Sequence, residues 1–311
     1  MATKSAVLAF SLLQAVTAID YVGGWIEPAH NQCVDICKNS KPKPGCFGPT
    51  TDACYSKLQR PGDYDYLLLD QIYQPQFCRD LLNGVDSTIT HQNVNKYPNG
   101  IACKGDVPSE LMIHGLWPNY VNGYPGCCNV SDTIVNRPMD ASKFATKYPK
   151  LFEEMSAKWV DPAIGNSTEQ LCQGYDHEFQ KHGICFGAFA DDYDRAAHQY
   201  FTATLDATAR LTKQSAQIAA WAKTGDKTTT IAAIAALYPK KINILCSTVT
   251  GETPNRLVAI RTCYDKSPPL KDNCGSNDSL LAGDFIDCFG NTTTTCDASK
   301  PIDLAAYVKP Q

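Results

Sequence analysis

A chain of 311 residues, 43% of them hydrophobic, is long enough to bury one large core with an appendage. Its formal net charge of −4 and isoelectric point near 5.9 exclude a protein that lives by non-specific attraction to nucleic acid, because such proteins are strongly basic. A nucleic acid would have to be held a few nucleotides at a time in a cleft, and more readily at acid pH, where the six histidines gain charge.

Residues 1–18 read as a signal peptide. Lys4 gives a basic start, Ala6 to Val16 is apolar apart from Ser11 and Gln14, and Val16-Thr17-Ala18 places small residues at a cleavage position. A buried N-terminal helix is the alternative reading. No later stretch is apolar enough, for long enough, to span a bilayer. Behind such a leader, fifteen cysteines point to disulfides rather than metal sites. The sequons at Asn129, Asn166, Asn277 and Asn291 fit a secreted glycoprotein, either extracellular or in a vacuole- or lysosome-like compartment. An odd cysteine count leaves at least one thiol free or paired with another chain; otherwise a monomer is expected.

Residues 19–62 form a small Cys-rich extension with Cys33, Cys37, Cys46 and Cys54, in which Lys41-Pro42-Lys43-Pro44-Gly45 excludes a helix or central strand. A zinc knuckle would call for a paired CxxC, which is absent. The main domain, 63–311, opens on a strand from Tyr64 to Tyr73 whose apolar residues fall on both faces, as in a central, buried strand. Residues 109–117 give a second strand. Phe144, Tyr148, Leu151, Phe152 and Met155 predict one helix over 141–159. A short helix follows at 176–186, then two or three Ala-rich helices between Asp191 and Tyr238. Strands are expected at Ile242 to Thr248 and Leu257 to Tyr264, with cysteine-bearing loops from Ser267 on. Strands and helices do not alternate regularly, so the expected class is α+β: a central, mainly antiparallel sheet flanked by helices and stapled by disulfides.

Two segments carry chemistry: Ile113 to Tyr120 (IHGLWPNY) and His177 to Cys185 (HEFQKHGIC). On a helix, Glu178 and His182 are four apart and share a face, as do His177 and Lys181, so four ionisable groups form one patch. A carboxylate beside an imidazole raises its pKa and fixes its orientation, and a lysine beside both can hold an anion. The zinc-protease spacing is not met. His177 and His182 are five apart, roughly 140° around an ideal helix, and Lys181 would put a cation beside the metal. A solvated helix face with ordinary charge pairs is the bland reading of the second segment by itself.

These two segments, in this order, closely resemble the active-site segments of the ribonuclease T2 family, over roughly Tyr64 to Cys296. The resemblance implies an endoribonuclease acting on single-stranded RNA without metal or other cofactor, through a 2′,3′-cyclic phosphate and with an acid optimum. It implies that His114 and His182 are the acid–base pair, His182 the base and His114 the acid in the first step, with Glu178 supporting the transition state. Lys181 and His177 would hold the phosphate and Trp117 would pack against the nucleotide. Asn119, Tyr120, Tyr124 and Gln71 are candidates for base contact. It further implies disulfides Cys263–Cys274, Cys185 with Cys127 or Cys128, and Cys246 with Cys288 or Cys296. Phe179 and Ile184 depart from the commoner Trp and Thr, and Asn119 from a common Asp, which bears on base preference because an amide both donates and accepts. Nor is the four-cysteine extension typical of that family. A catalytically lapsed RNA-binding or storage protein on the same fold is the competing reading, opposed by the presence of both histidines, Glu178 and Lys181.

Overall fold

In the computed structural model the described residues are 32–38, 61–128, 136–165, 169–187, 192–247, 249, 255–266, 281–289 and 295–310. The expected signal peptide, Cys46, Cys54, Cys274 and all four sequon asparagines lie outside them.

Strand β1 (Tyr66–Tyr73) is buried along its whole length, as its two apolar faces predict. It runs antiparallel between β2 (Leu111–Asn119) and β5 (Asn255–Tyr264). Pro75 then forces the chain out of the sheet and into helix α1 (Gln74–Leu82), at whose start the missing N–H costs nothing. The expected helix over 141–159 is two helices, α2 (Ala141–Lys147) and α3 (Pro149–Lys158). Pro149 keeps Tyr148 out of the helical region (φ −127°, ψ 58°), so the pattern of apolar residues continues while the backbone breaks.

The expected helix at 176–186 is longer and wider. A π-helical turn at Leu171–Tyr175, α4 (Asp176–Glu178), a second π-helical turn at Phe179–Gly183 and α5 (Ile184–Gly187) follow one another without a gap. Helices α6 (Tyr193–Ala209) and α7 (Thr212–Ala222), strand β3 (Thr228–Thr229) and helix α8 (Ile231–Ala235) come next. Strand β4 (Asn243–Cys246) precedes β5, and the tail contributes β6 (Phe285–Ile286) and β7 (Ile302–Asp303). Two residues are too short a run for a period to show, which is why the tail read as loop.

Among the described residues the strands join in one mixed sheet in the order β2-β1-β5-β7-β3, with β4 and β6 also paired to β5. Every pairing is antiparallel except β5 with β7, so the fold is α+β with a mainly antiparallel sheet. Leu67, Leu69, Leu116 and Ile260 from the sheet meet Trp159, Tyr175, Phe179, Tyr200 and Phe201 from the helices in one core. These rings meet largely edge to face, the arrangement their quadrupoles favour.

Disulfides brace this body. Cys128 pairs with Cys185 and Cys246 with Cys296, resolving two open choices. Cys263 pairs with Cys288, not with Cys274: β6 lies beside the end of β5 and sets Cys263 opposite Ile286, two residues from Cys288. Cys78–Cys103 ties α1 to the following loop. The Cys-rich extension is not stapled only to itself. Cys33 bonds Cys172 and Cys37 bonds Cys127, while Ile36 N donates to Gln180 Oε1 (3.1 Å) and Gln180 Nε2 donates to Asp35 Oδ1 (2.6 Å). Residues 32–38 are thereby anchored on the wide-turned helical segment.

A buried cation clamps a second region. The imidazole of His91 lies 2.9 Å from Asp86 Oδ2 through Nδ1 and 2.9 Å from Asp161 Oδ2 through Nε2. Burial alone would push its pKa down, but the Asp161 and Asp86 carboxylates outweigh that and hold it up at about 10. Removing the ring strands two buried carboxylates, so His91→Ala should cost about 3–5 kcal/mol in urea unfolding at pH 6. A raised imidazole pKa stabilises fully below the unfolded value of roughly 6.5, and that contribution fades as pH rises toward 10. The difference between wild type and variant should therefore shrink steadily from pH 6.5 to pH 10.

Candidate active site

His114 occupies an irregularity in the edge strand. Asp70 of β1 faces Gly115 and the next residue, Gln71, faces Ile113, so His114 is the extra residue of a β-bulge. A bulge re-aims one side chain out of the ladder's alternation, a common device beside functional sites. Nδ1 of His114 lies 2.8 Å from Asp70 Oδ2. Asp70 in turn accepts from Arg261 Nε at 2.9 Å, directly across from it on β5. The Arg261 guanidinium lies 5.6 Å from the centre of the Trp117 ring.

The wide-turned helical segment packs against β2 and supplies the rest. Glu178 Oε2 accepts from Trp117 Nε1 at 2.8 Å, and Oε1 lies 3.4 Å from His114 Nε2. The His182 ring is 5.2 Å from the Trp117 ring and 5.7 Å from that of Tyr124, while His114 meets the edge of Trp117 at 4.9 Å. Trp117 thus contacts both imidazoles. The 140° separation of His177 and His182 on an ideal helix does not apply, because a π-helical turn closes i→i+5 and draws residues five apart together. Among the described residues no three His, Cys, Asp or Glu side chains are placed to hold a metal ion.

The glycine beside each histidine has a steric reason. A Cβ on Gly115 would sit 1.9 Å from Glu178 Oε2 and 2.5 Å from Trp117 Nε1. One on Gly183 would sit 2.5 Å from the ring of Tyr200. Both are points where a second element presses against bare backbone.

The pKa values of the two imidazoles are driven in opposite directions. Burial pulls His114 down, but Glu178 and then Asp70 outweigh it, and its pKa lies above the ordinary 6.5. Burial, then Lys181, His177 and His114, hold His182 well below that value. His177 is pushed down to about 3 by burial and then by Lys181 and His114. Burial raises Glu178, with His114 and Trp117 opposing, whereas Asp70 stays below the usual carboxylate range because Arg261 and His114 overcome its burial. Lys181 is buried beside them, and its carbonyl accepts from Cys127 N at 2.7 Å.

The structure therefore brings together His114, Trp117, Glu178 and His182, with His177 and Lys181 close enough to influence them electrostatically. It places the base-contact candidates unequally. Tyr124 is exposed and lies beside His182 with the two rings tilted. Tyr120 is buried in the main core, 2% exposed. Asn119 Nδ2 donates to the Trp117 carbonyl at 3.0 Å, at the end of β2. Gln71 is buried and lines a groove of about 710 Å³, which shares Met112 and Ile113 with a small cavity of about 20 Å³ lined by His114 and Glu178. Asp70 and Arg261 were missed in the sequence. A carboxylate ending the apolar run Leu67-Leu68-Leu69 was the available signal for the first.

Fold and site define a disulfide-braced α+β domain with two imidazoles packed against one tryptophan at the sheet edge. The model of the Ribonuclease T2 family matches residues 64–274, and the chain belongs to that family. It is 27% identical over 153 residues to Ribonuclease 1 of Arabidopsis thaliana, covering 49% of this chain and 53% of that one. Against Extracellular ribonuclease LE of Solanum lycopersicum it is 28% identical over 154 residues, 49% of this chain and 54% of the relative. The chain thus spans about half the length of the curated relatives it matches. Its fold is similar to that of a variant of RNase MC1 in complex with 5′-UMP, with TM-score 0.50 and 21% identity over 77% of this chain and 98% of that one.

Proposed function

We propose that the protein is an endoribonuclease that cleaves single-stranded RNA by transphosphorylation, with His182 as base and His114 as acid in the first step. The observation that carries this reading is geometric: His114 and His182 pack against one tryptophan, and the carboxylates of Asp70 and Glu178 flank His114. RNA supplies its own nucleophile, the 2′-OH. Neutral His182 takes that proton, the 2′ oxygen attacks the adjacent phosphorus, and His114 protonates the departing 5′ oxygen. The products are a 2′,3′-cyclic phosphate and a 5′-hydroxyl. Water then opens the ring with the two roles exchanged.

Charge gathers on the phosphoryl oxygens in the transition state. Lys181, Glu178 and His177 would offset or steer that charge. Trp117 and the exposed Tyr124 offer ring faces to a nucleotide, and Gln71 offers a buried amide in the adjoining groove. The disulfides fit an oxidising compartment, in line with a secreted or vacuole-like destination.

The test is incubation with RNA at pH 5 in EDTA, with the ends of the early products identified. Cyclic phosphate ends are expected. Binding without cleavage would favour a lapsed enzyme, and loss of cleavage on chelation would refute the metal-free reading. A pH–rate profile adds a signed prediction. Activity needs His182 neutral and His114 charged, so the acid limb should lie well below pH 6.5 and the alkaline limb above it. RNA binding, opposed by a net charge of −4 at neutrality, should draw the optimum to the acid side of that window.

A further inference from the structure

The reading above leaves unused a buried carboxylate that touches one of the reacting imidazoles. Asp70 is 2% exposed, and it has no counterpart in the two segments that carry the family resemblance. Its Oδ2 meets His114 Nδ1 at 2.8 Å, and its Oδ1 accepts from Arg261 Nε at 2.9 Å. The pairing is built into the sheet: β1 and β5 set Asp70 directly opposite Arg261, and the bulge in β2 turns His114 toward both.

We infer that Asp70 is a positioning residue for the acid: it fixes the proton of His114 on Nδ1 and so makes Nε2 the atom that delivers a proton to the leaving oxygen. The inference rests on the proposed ribonuclease reading. The groups facing His114 are Asp70 from β1, Arg261 from β5 and Glu178 from the helical segment, with His177, Lys181 and His182 farther along that segment. Arg261 keeps Asp70 ionised, and its aliphatic and guanidinium surface lies over Trp117. A carboxylate so placed does two things to an imidazole: it selects the tautomer and it favours the charged form. Glu178 is on the other side of the ring, at Nε2, where proton delivery must occur, so it cannot set the tautomer in the same way.

The test is Asp70→Asn, which keeps the shape and removes the charge. On a dinucleotide substrate kcat should fall at least about ten-fold with KM nearly unchanged, and the alkaline limb should move acidward by about one pH unit or more. In a His114→Ala background the same substitution should have no further effect on kcat, because the two act as a unit. Should Asp70→Asn fail to fold, the double variant Asp70→Asn/Arg261→Gln carries the test: it removes the buried ion pair together and leaves no uncompensated cation, and kcat should still fall with the alkaline limb moving acidward. An alkaline limb that stays put in a folded variant, or additive losses in the His114→Ala background, overturns the inference. Failure of the wild type to cleave RNA would instead refute the ribonuclease reading itself, so the two failures are distinguishable.

Discussion

Replacing His182 with Ala should lower kcat on RNA by about 10³–10⁴-fold at pH 5, and His114→Ala by a similar factor, with little change in thermal stability. General acid–base transfer by one positioned group contributes about 10²–10⁴-fold, and each imidazole serves in both steps of this reaction. The two losses are separable by substrate. A substrate whose leaving group is a good one, such as a nitrophenyl ester of a nucleoside 3′-phosphate, needs no acid to expel it. His114→Ala should recover much of its activity on that ester, whereas His182→Ala should not, because the 2′-OH still has to lose its proton. If His182→Ala were the variant rescued, the assignment of His182 as base and His114 as acid would be reversed. If both variants cleaved RNA at the wild-type rate, the site itself would be wrong.

Gly115→Ala should be nearly as damaging, although it adds one methyl group and removes no chemistry. The new Cβ would fall 1.9 Å from Glu178 Oε2 and 2.5 Å from Trp117 Nε1, so the carboxylate must move by an ångström or more. That displacement breaks the 2.8 Å hydrogen bond to Trp117 and shifts the group that faces His114 Nε2. Misplacing a catalytic group by about 1 Å costs on the order of 10²-fold in rate. Gly225→Ala is the matched control, because a Cβ there meets nothing within 4 Å, and it should leave kcat unchanged. Equal activity in the two variants would mean that Glu178 has no fixed place in the reaction.

Much of the site was legible because its residues are close in sequence. Glu178, Lys181 and His182 lie within one helical segment, and His114, Gly115 and Trp117 within one strand, so local spacing was enough to group each set. Spacing could not give what depends on the sheet. Asp70 and Arg261 are 191 residues apart and meet only because β1 and β5 pair in that register. The bulge at His114 is a property of two strands together, invisible in either alone. Helical periodicity also misjudged the angle between His177 and His182, because it assumed 3.6 residues per turn where the backbone widens. Disulfide connectivity was legible only in part, because cysteine positions limit the pairings without choosing among them: Cys128–Cys185 and Cys246–Cys296 are among those expected, but Cys263 bonds Cys288. Cys33 and Cys37 close onto Cys172 and Cys127 across 139 and 90 residues, a choice made by the packing of residues 32–38 on Gln180.

The account stands on an attacking oxygen that belongs to the substrate and on two imidazoles that move its protons. Its most direct test compares a ribodinucleotide with its analogue carrying 2′-O-methyl on the nucleotide 5′ to the scissile phosphate, at pH 5 in EDTA. The ribodinucleotide should be cleaved, with a 2′,3′-cyclic phosphate as the first product, and the methylated analogue should survive unchanged. Cleavage of both at comparable rates, or a first product bearing a 5′-phosphate, would contradict it.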